Sequence, residues 1–264
     1  MTKLSKLAAV ITLSTSSMAA NAALTEAEQT ALIDILSCLD RVDNTLVVTG
    51  CDVQVVNGLH GNNETNSKGN VILGYNRADS PYAQKTGSHN LVVGDFHQYT
   101  SVGSVVAGDS NNALAESVTV AGRFNSAKGF HTAVWGGESN TAEGLFSVIL
   151  GGQENLTPDL HNFAVIAGGK RNTASNFFSM VLGGEQNIAT GQSSVISGGT
   201  LNSTTGPSSS ITGGISNKAT GELSAILGGE ANQANGFTST IGGGLKRAVH
   251  GRDNYQAGYF FSEK

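Results

Sequence analysis

Side chains able to act as general bases or nucleophiles are scattered along this chain. Six histidines fall at different positions of the repeat described below: His60, His89, His97, His131, His161 and His250. A catalytic site needs a nucleophile, a base and a residue that orients the base. The sequence shows no such pattern, so it predicts no catalytic residue, no metal ligand and no cofactor. His89 and His97 lie in the most irregular stretch and could face one another across a coil, but satisfied or solvated histidines are the expectation.

Two cysteines, Cys38 and Cys51, are the other reactive side chains. An even pair in an exported chain is most simply a disulfide. The bridge would close a loop of about a dozen residues and contribute on the order of 3 kcal/mol to stability. Free thiols or a metal pair are the alternatives, and no cluster of His or Cys at ligand spacing supports the metal site.

Asparagine has the most regular spacing of the polar residues. The column consists of Asn125, Asn140, Asn155, Asn172, Asn187, Asn202, Asn217 and Asn232. Each step is 15 residues, except that from Asn155 to Asn172, which is 17. The column is either a ladder of side-chain amides bonded along an axis, as in stacked cross-β structures, or a row that binds a ligand or ion. We favour the ladder because the row lies beside a turn and no acid accompanies it.

The elements that must position this column are short strands. Each unit reads Asn-x-Ala/Thr-x-Gly, two free positions, Ser-x-Ile/Val-x-Gly-Gly and two more, which is enough for two strands and two turns. One unit is therefore one coil of a parallel β-solenoid, with about 11–12 coils in all. One aliphatic residue per coil is expected to stack inside: Val134, Ile149, Ile166, Val181, Ile196, Ile211, Ile226 and Ile241.

Glycine, with 35 residues, is expected at both turns of each coil. A Gly-Gly pair ends the aliphatic strand, where we expect a positive φ. The pairs assigned this structural role begin at Gly183, Gly198, Gly213 and Gly228. A single glycine forms the second turn. Asn176 stands at that position in its own coil, which suggests a left-handed backbone there because asparagine tolerates one.

The residues that flank the aliphatic column point to the other face of the strand. In several coils they are also apolar, as with Val148 and Leu150, or Met180 and Leu182. A strand that is apolar on both faces is normally covered on both. We therefore predict that this second face is buried against sister chains; the alternative is that it meets the opposite wall of its own coil.

The N-terminal residues predict export. Residues 1–22 combine a basic start, a short apolar run and Ala20-Asn21-Ala22, which is typical of a signal peptide. Removing them leaves 13 basic against 20 acidic residues, a net charge of −7. This balance argues against nucleic acid and anionic membranes as partners. No other segment approaches the length of an apolar membrane span.

The remaining segments frame the repeats. Residues 23–43 are predicted to form an amphipathic helix over Thr25 to Val42, with a stripe of leucine and isoleucine that would trimerise or cap the solenoid. Residues 44–68 read as lead-in strands, 69–251 as the repeats and 252–264 as a C-terminal cap rich in aromatic residues.

The two half-repeats, Ser-x-Ile-x-Gly and Asn-x-Ala-x-Gly, resemble the head of YadA-like trimeric autotransporter adhesins over Gly69 to Gly251. The resemblance implies a left-handed parallel β-roll made of three intertwined chains, on the bacterial cell surface, that binds host matrix or other surfaces. The stalk and membrane anchor of that family have no counterpart in the sequence, so the resemblance implies a free-standing head.

Two function classes follow. The first is a secreted or cell-surface binding module, a homotrimer that presents a rigid surface to extracellular matrix, glycan or a cell-surface ligand. The second is a structural subunit of an extracellular filament or matrix. Ice binding is disfavoured because the outward positions are too varied. Hexapeptide acyltransferases are disfavoured because fifteen is not a multiple of six. Binding loops are expected at Arg77 to Gln84 or Pro158 to Asn162.

Overall fold

The computed structural model describes residues 24–59, 61, 64–78, 83–158 and 163–257. The chain forms two compact units, Met1–Gln54 and Val55–Lys264. The predicted signal peptide (1–22) lies outside the described residues. So do 258–264 of the predicted cap, 79–82 of the first predicted binding loop and 159–162 of the second.

The first unit contains one helix, α1 (Glu26–Leu36), and an antiparallel hairpin of β1 (Leu39–Val42) and β2 (Thr45–Val48). Thr25 and Glu28 form a capping box: the Thr25 hydroxyl accepts from the Glu28 backbone N–H, and the Glu28 carboxylate accepts from the Thr25 backbone N–H. The Cys38–Cys51 disulfide closes the hairpin, with 5.9 Å between the two Cα atoms, as predicted.

The prediction of a helix through Val42 is wrong, since the helix ends at Leu36. Residues 39–42 pair instead with 45–48 across a two-residue loop, where Asp43 adopts a φ of 52°. Strand pairing and the disulfide outweigh a helical pattern that was too short to be stable alone. The predicted lead-in strands are confirmed only for β2, because residues 52–57 form no strand.

The second unit is an all-β parallel solenoid of about 11 coils, each with one strand in each of two sheets. We call the 13-stranded sheet the long sheet. Its strands are β3 (Val71–Leu73), β4 (Leu91–Asp95), β6 (Val105–Asp109), β8 (Thr119–Arg123), β10 (Ala133–Val134), β12 (Val148–Ile149), β14 (Val165–Ile166), β16 (Met180–Val181), β18 (Val195–Ile196), β20 (Ser210–Ile211), β22 (Ala225–Ile226), β24 (Thr240–Ile241) and β26 (Tyr255–Gln256).

The 11-stranded sheet, called the short sheet, forms the opposite wall of the coils. Its strands are β5 (Gln98–Tyr99), β7 (Asn112–Ala113), β9 (Ser126–Ala127), β11 (Thr141–Ala142), β13 (Leu156–Thr157), β15 (Thr173–Ala174), β17 (Ile188–Ala189), β19 (Ser203–Thr204), β21 (Lys218–Ala219), β23 (Gln233–Ala234) and β25 (Ala248–Val249). The two walls alternate along the chain, so every coil pairs only with the coils before and after it.

The repeat length is not uniform. In the early coils Leu91 pairs with Val105, and these partners are one residue closer in sequence than later partners such as Met180 and Val195. The early coils carry one glycine, such as Gly108, where later coils carry the pair Gly151-Gly152. The corner is one residue shorter as a result. The sequence pattern had indicated only that these coils are looser versions of the later ones.

The core is a thin double column. The predicted aliphatic residues of the long sheet are at most 1 % exposed, and alanines such as Ala174 and Ala189 face them from the short sheet. Isoleucine against alanine fills the narrow space between two walls of one coil, and the same pair repeats in the next coil. The interior is therefore continuous along the stack.

The glycine pairs that begin at Gly183, Gly198, Gly213 and Gly228 contain the predicted positive φ, but at only one glycine of each pair. The positive φ belongs to the second glycine, as at Gly184 (φ 86°), and the first glycine, Gly183, has open space where a side chain would be. The same holds for Gly198, Gly213 and Gly228. These four glycines are therefore not the constrained members of their pairs.

The second turn also departs from the prediction. Gly191 and its equivalents need no positive φ; they are required because a Cβ at Gly191 would lie 2.1 Å from the carbonyl oxygen of Gly206 in the next coil. The interpretation of Asn176 as a left-handed residue is wrong. The left-handed residue at that turn is Phe178, two positions later, with a φ of 57°.

Candidate functional site

The asparagine column lies inside the solenoid, at the corner that follows the long sheet. Asn140, Asn172, Asn187, Asn202, Asn217 and Asn232 are all fully buried. The Asn187 side chain shows the common pattern: its Oδ1 accepts from the Asn202 backbone N–H at 3.0 Å, and its Nδ2 donates to the carbonyls of Gly183 (3.0 Å) and Gly199 (2.9 Å). The bonds with Asn202 and Gly199 run along the axis to the next coil, and the bond to Gly183 lies within the same coil. All three join the side chain to the backbone and not amide to amide.

The consequence for chemistry is direct. Each amide donates both of its N–H groups to carbonyl oxygens and accepts an N–H of the following coil with its oxygen. Because the side chain is also fully buried, it is not accessible to a ligand. Asn155 is the exception, since its Nδ2 also donates to Oδ1 of Asn140. The alternative of a ligand-binding row has no support in this arrangement.

The histidines that the structure describes have separate environments. His89 and His97 lie at opposite ends of β4 and do not pair: His89 Nε2 accepts from the Asn57 backbone N–H, while His97 bonds to Val93 and Asn111. His131 stacks on Phe146, and His250 contacts Asn235. His60 and His161 lie outside the described residues. Within the described part of the chain, no group of three His, Cys, Asp or Glu is placed to hold a metal ion.

The outer face of the long sheet is the most distinctive surface of the solenoid. We call it the apolar face and define it by the outward residues on either side of each buried aliphatic residue. Its large members include Trp135, Leu150, Leu182 and Leu227, which are 63 %, 52 %, 46 % and 57 % exposed. None of its positions from Ala133 to Gly242 carries a charge, although Ser197, Ser210, Thr212 and Thr240 are polar. The side chains point away from the interior, which excludes the alternative that they meet the opposite wall of their own coil.

A row of aromatic rings borders the apolar face. His131, Phe146, Phe163 and Phe178 each adopt a left-handed backbone at the corner that precedes the long sheet. Their rings stack almost parallel, with centroids 5.1–5.2 Å apart. The spacing follows the distance between adjacent strands, so the sheet itself sets the stack. The row adds exposed aromatic surface to the apolar face over four successive coils.

The outer face of the short sheet is different in character. Its outward residues are mainly polar, for example Thr190, Thr220 and Lys218, although Ile188 also points outward. Lys128 and Glu143 form an ion pair at 2.7 Å on this side, beside a shallow cavity of about 340 Å³ that Phe130 and Leu145 help to line. One solenoid thus carries a charge-free apolar face and a polar face on opposite walls.

Charged residues occupy the corner where the asparagine column lies. Arg171 binds Glu154 in the neighbouring coil, and the hydrogen bond from its guanidinium lowers the pKa of Glu154. Arg123 packs over the ring of Phe124 and reaches Asp109 and Glu138. These are exposed pairs between adjacent coils, and screening by water and salt leaves each with little net effect on stability.

The described part of the first predicted binding loop is held in place. Arg77 forms an ion pair with Asp95 at 2.7 Å and packs its guanidinium on Phe96. Lys85 donates to the carbonyl oxygen of Arg77 at 2.7 Å, which ties the two ends of the loop together. The base of the loop is therefore a fixed part of the scaffold.

No helix among the described ranges is both long and apolar enough to cross a membrane. Comparison of the chain with known protein families finds no matching family model, and comparison with curated proteins finds no match.

Proposed function

We propose that this chain is an exported, non-catalytic binding module that acts as a self-associated assembly, a homotrimer in the manner of YadA-like adhesin heads. The assembly would form through the apolar face and present its polar face and corners to extracellular matrix, a glycan or a cell-surface ligand. The Cys38–Cys51 disulfide suits a protein that works outside the reducing cytoplasm.

The observation that carries the proposal is the contrast between the two outer faces. A charge-free sheet face that is mainly apolar over several successive coils is unfavourable in water, whereas the polar face of the same coils is not. Covering the apolar face with further copies of the chain removes this cost. Several identical heads held together also raise the effective affinity for a repetitive surface without any new contact.

The test is the mass of the native mature protein in solution, measured by light scattering. Leu182→Lys places a charge on the apolar face, and Ile188→Lys places the same charge on the short sheet, where the starting residue is almost equally exposed (44 %). We expect a trimer for the parent and for Ile188→Lys, and a lower mass for Leu182→Lys with an unchanged circular dichroism spectrum. A parent protein that is monomeric at all concentrations removes the basis of the proposal.

Binding is tested on the assembled protein. Retention on immobilised matrix glycoproteins and glycans should fall when Leu182→Lys separates the chains, because avidity is lost, and should persist with Ile188→Lys. Equal retention of both variants would show that the assembly contributes nothing to binding.

A structural filament is the second candidate, and one observation favours it. Ile72 of β3 stands in the interior column, in register with Val92, yet it is 42 % exposed. Among the described strands, none pairs with the other edge of β3. An open edge with apolar side chains can pair with another chain. Electron micrographs distinguish the two: discrete particles support the head, and long unbranched fibres support the filament.

A further inference from the structure

His97 occupies a position of the asparagine column. The coils read Gly94-Asp95-Phe96-His97, Gly108-Asp109-Ser110-Asn111 and Gly122-Arg123-Phe124-Asn125, and the three segments follow one another at equal intervals. His97 is fully buried, as Asn111 and Asn125 are. The histidine therefore takes the place of an asparagine in the column, where the asparagine side chains form hydrogen bonds with backbone groups.

The imidazole reproduces the asparagine bonds. Nε2 of His97 lies 3.0 Å from the carbonyl oxygen of Val93, four residues earlier, where Asn111 donates to Ala107. Nδ1 of His97 accepts from the Asn111 backbone N–H at 3.2 Å, where Oδ1 of Asn111 accepts from Asn125. The two partners fix the tautomer: the proton is on Nε2 and the lone pair is on Nδ1.

This arrangement holds only for a neutral ring. A protonated imidazole is a donor at both nitrogens, so its Nδ1–H would face the Asn111 N–H inside the solenoid. Asparagine has no corresponding charged form, and every later position of the column is therefore insensitive to pH.

The surroundings favour the neutral form on balance. Burial lowers the pKa of His97, and the positive charge of Lys85, from the segment before β4, acts in the same direction. The hydrogen bond to the Val93 carbonyl oxygen and the carboxylate of Asp109 at the end of β6 oppose them. Since the unfolded chain binds the proton more readily, the stabilising effect is complete above about pH 6.5 and is lost progressively as the pH falls below that value.

We propose that His97 is a pH-sensitive break in the hydrogen-bonded column, which opens the coils on its N-terminal side in mildly acidic conditions while the asparagine-linked coils from Asn111 onward stay closed. Each coil of a solenoid is held mainly by its neighbours, so the opening remains local. The device is independent of any ligand and of the proposed assembly.

The test compares the parent with His97→Asn, which restores the residue that the column uses elsewhere. Amide hydrogen exchange is followed at Asn111 and at Asn202 between pH 7.5 and 5, after correction for the intrinsic exchange rate. We expect protection at Asn111 of the parent to fall by up to about tenfold per pH unit below pH 6.5, and protection at Asn202 to stay constant. In His97→Asn, both amides should stay protected.

His131→Asn is the control, because His131 is exposed and accepts no backbone N–H among the described contacts. It should retain the pH response at Asn111. The nitrogen chemical shifts of His97 provide a second measurement, and an unprotonated Nδ1 at pH 7.5 is expected. The proposal is overturned if Asn111 responds equally to pH in the parent and in His97→Asn, or if Nδ1 carries the proton at neutral pH.

Discussion

Gly183 and Gly184 are adjacent residues with the same side chain, yet the structure predicts opposite responses to alanine. A Cβ at Gly184 would lie 2.1 Å from the Gly199 carbonyl oxygen and 2.6 Å from Nδ2 of Asn187, and the φ of 86° is unfavourable for any L-residue with a side chain. A Cβ at Gly183 meets nothing within 4 Å. The pair is therefore a matched experiment on one corner of one coil.

The expected magnitudes follow from two terms. The unfavourable backbone of Gly184→Ala costs about 1–3 kcal/mol. The overlap with the next coil adds about 1–3 kcal/mol, because a backbone carbonyl cannot move aside without breaking the ladder. Gly183→Ala should change stability by less than about 1 kcal/mol, and in the stabilising direction if the unfolded chain loses entropy.

Denaturant unfolding of the parent and both variants, followed by circular dichroism, measures the difference. Hydrogen exchange in the coils on either side of Gly184 shows whether the damage is confined to them. The reasoning is refuted if the two variants unfold at the same denaturant concentration, since the second glycine would then carry no special constraint.

The remaining predictions concern the column and the disulfide. Asn187→Ala leaves the buried Asn202 N–H without its acceptor and should lower the free energy of unfolding by about 2–3 kcal/mol, whereas Asn235→Ala, on the outer surface, should have little effect in the same denaturant titration. Replacing both Cys38 and Cys51 with serine should destabilise the hairpin by up to about 3 kcal/mol. Hydrogen exchange should locate that loss in residues 38–51 and leave the solenoid coils protected, and a loss spread over the coils would contradict the separation of the two units.

The fold could be predicted because the sequence repeats at a nearly constant interval and each repeat corresponds to one coil. A column of aliphatic residues at a constant interval, with small residues between glycine corners, allows little other than stacked coils, and the structure confirms a parallel solenoid of about 11 coils. The disulfide was predictable from two cysteines in a chain whose N-terminal residues predict export. The end of α1 was not, because Leu39 fits both a helical stripe and a hairpin strand, and pairing with Val48 decides between them.

The backbone conformation at the corners, and the positions there that require glycine, could not be predicted from the sequence because they depend on distances between coils. Which glycine of a pair needs a positive φ, and why Gly191 must lack a side chain, follow only from the position of the next coil. The position of His97 in the column could have been found from the sequence, because His97, Asn111 and Asn125 are equally spaced. That interval was hidden because the later coils are one residue longer.

The uniform register between coils has an evolutionary consequence. Each coil presents to the next coil the same surface that the previous coil presents to it. Removing residues 188–202 would therefore join Asn187 to Ser203 and leave the register between the remaining coils unchanged. The 17-residue coil before Asn172 already shows that two extra residues are tolerated without loss of stacking. Duplication and loss of single coils can therefore lengthen or shorten the molecule in increments of roughly 5 Å, leaving its cross-section as it is.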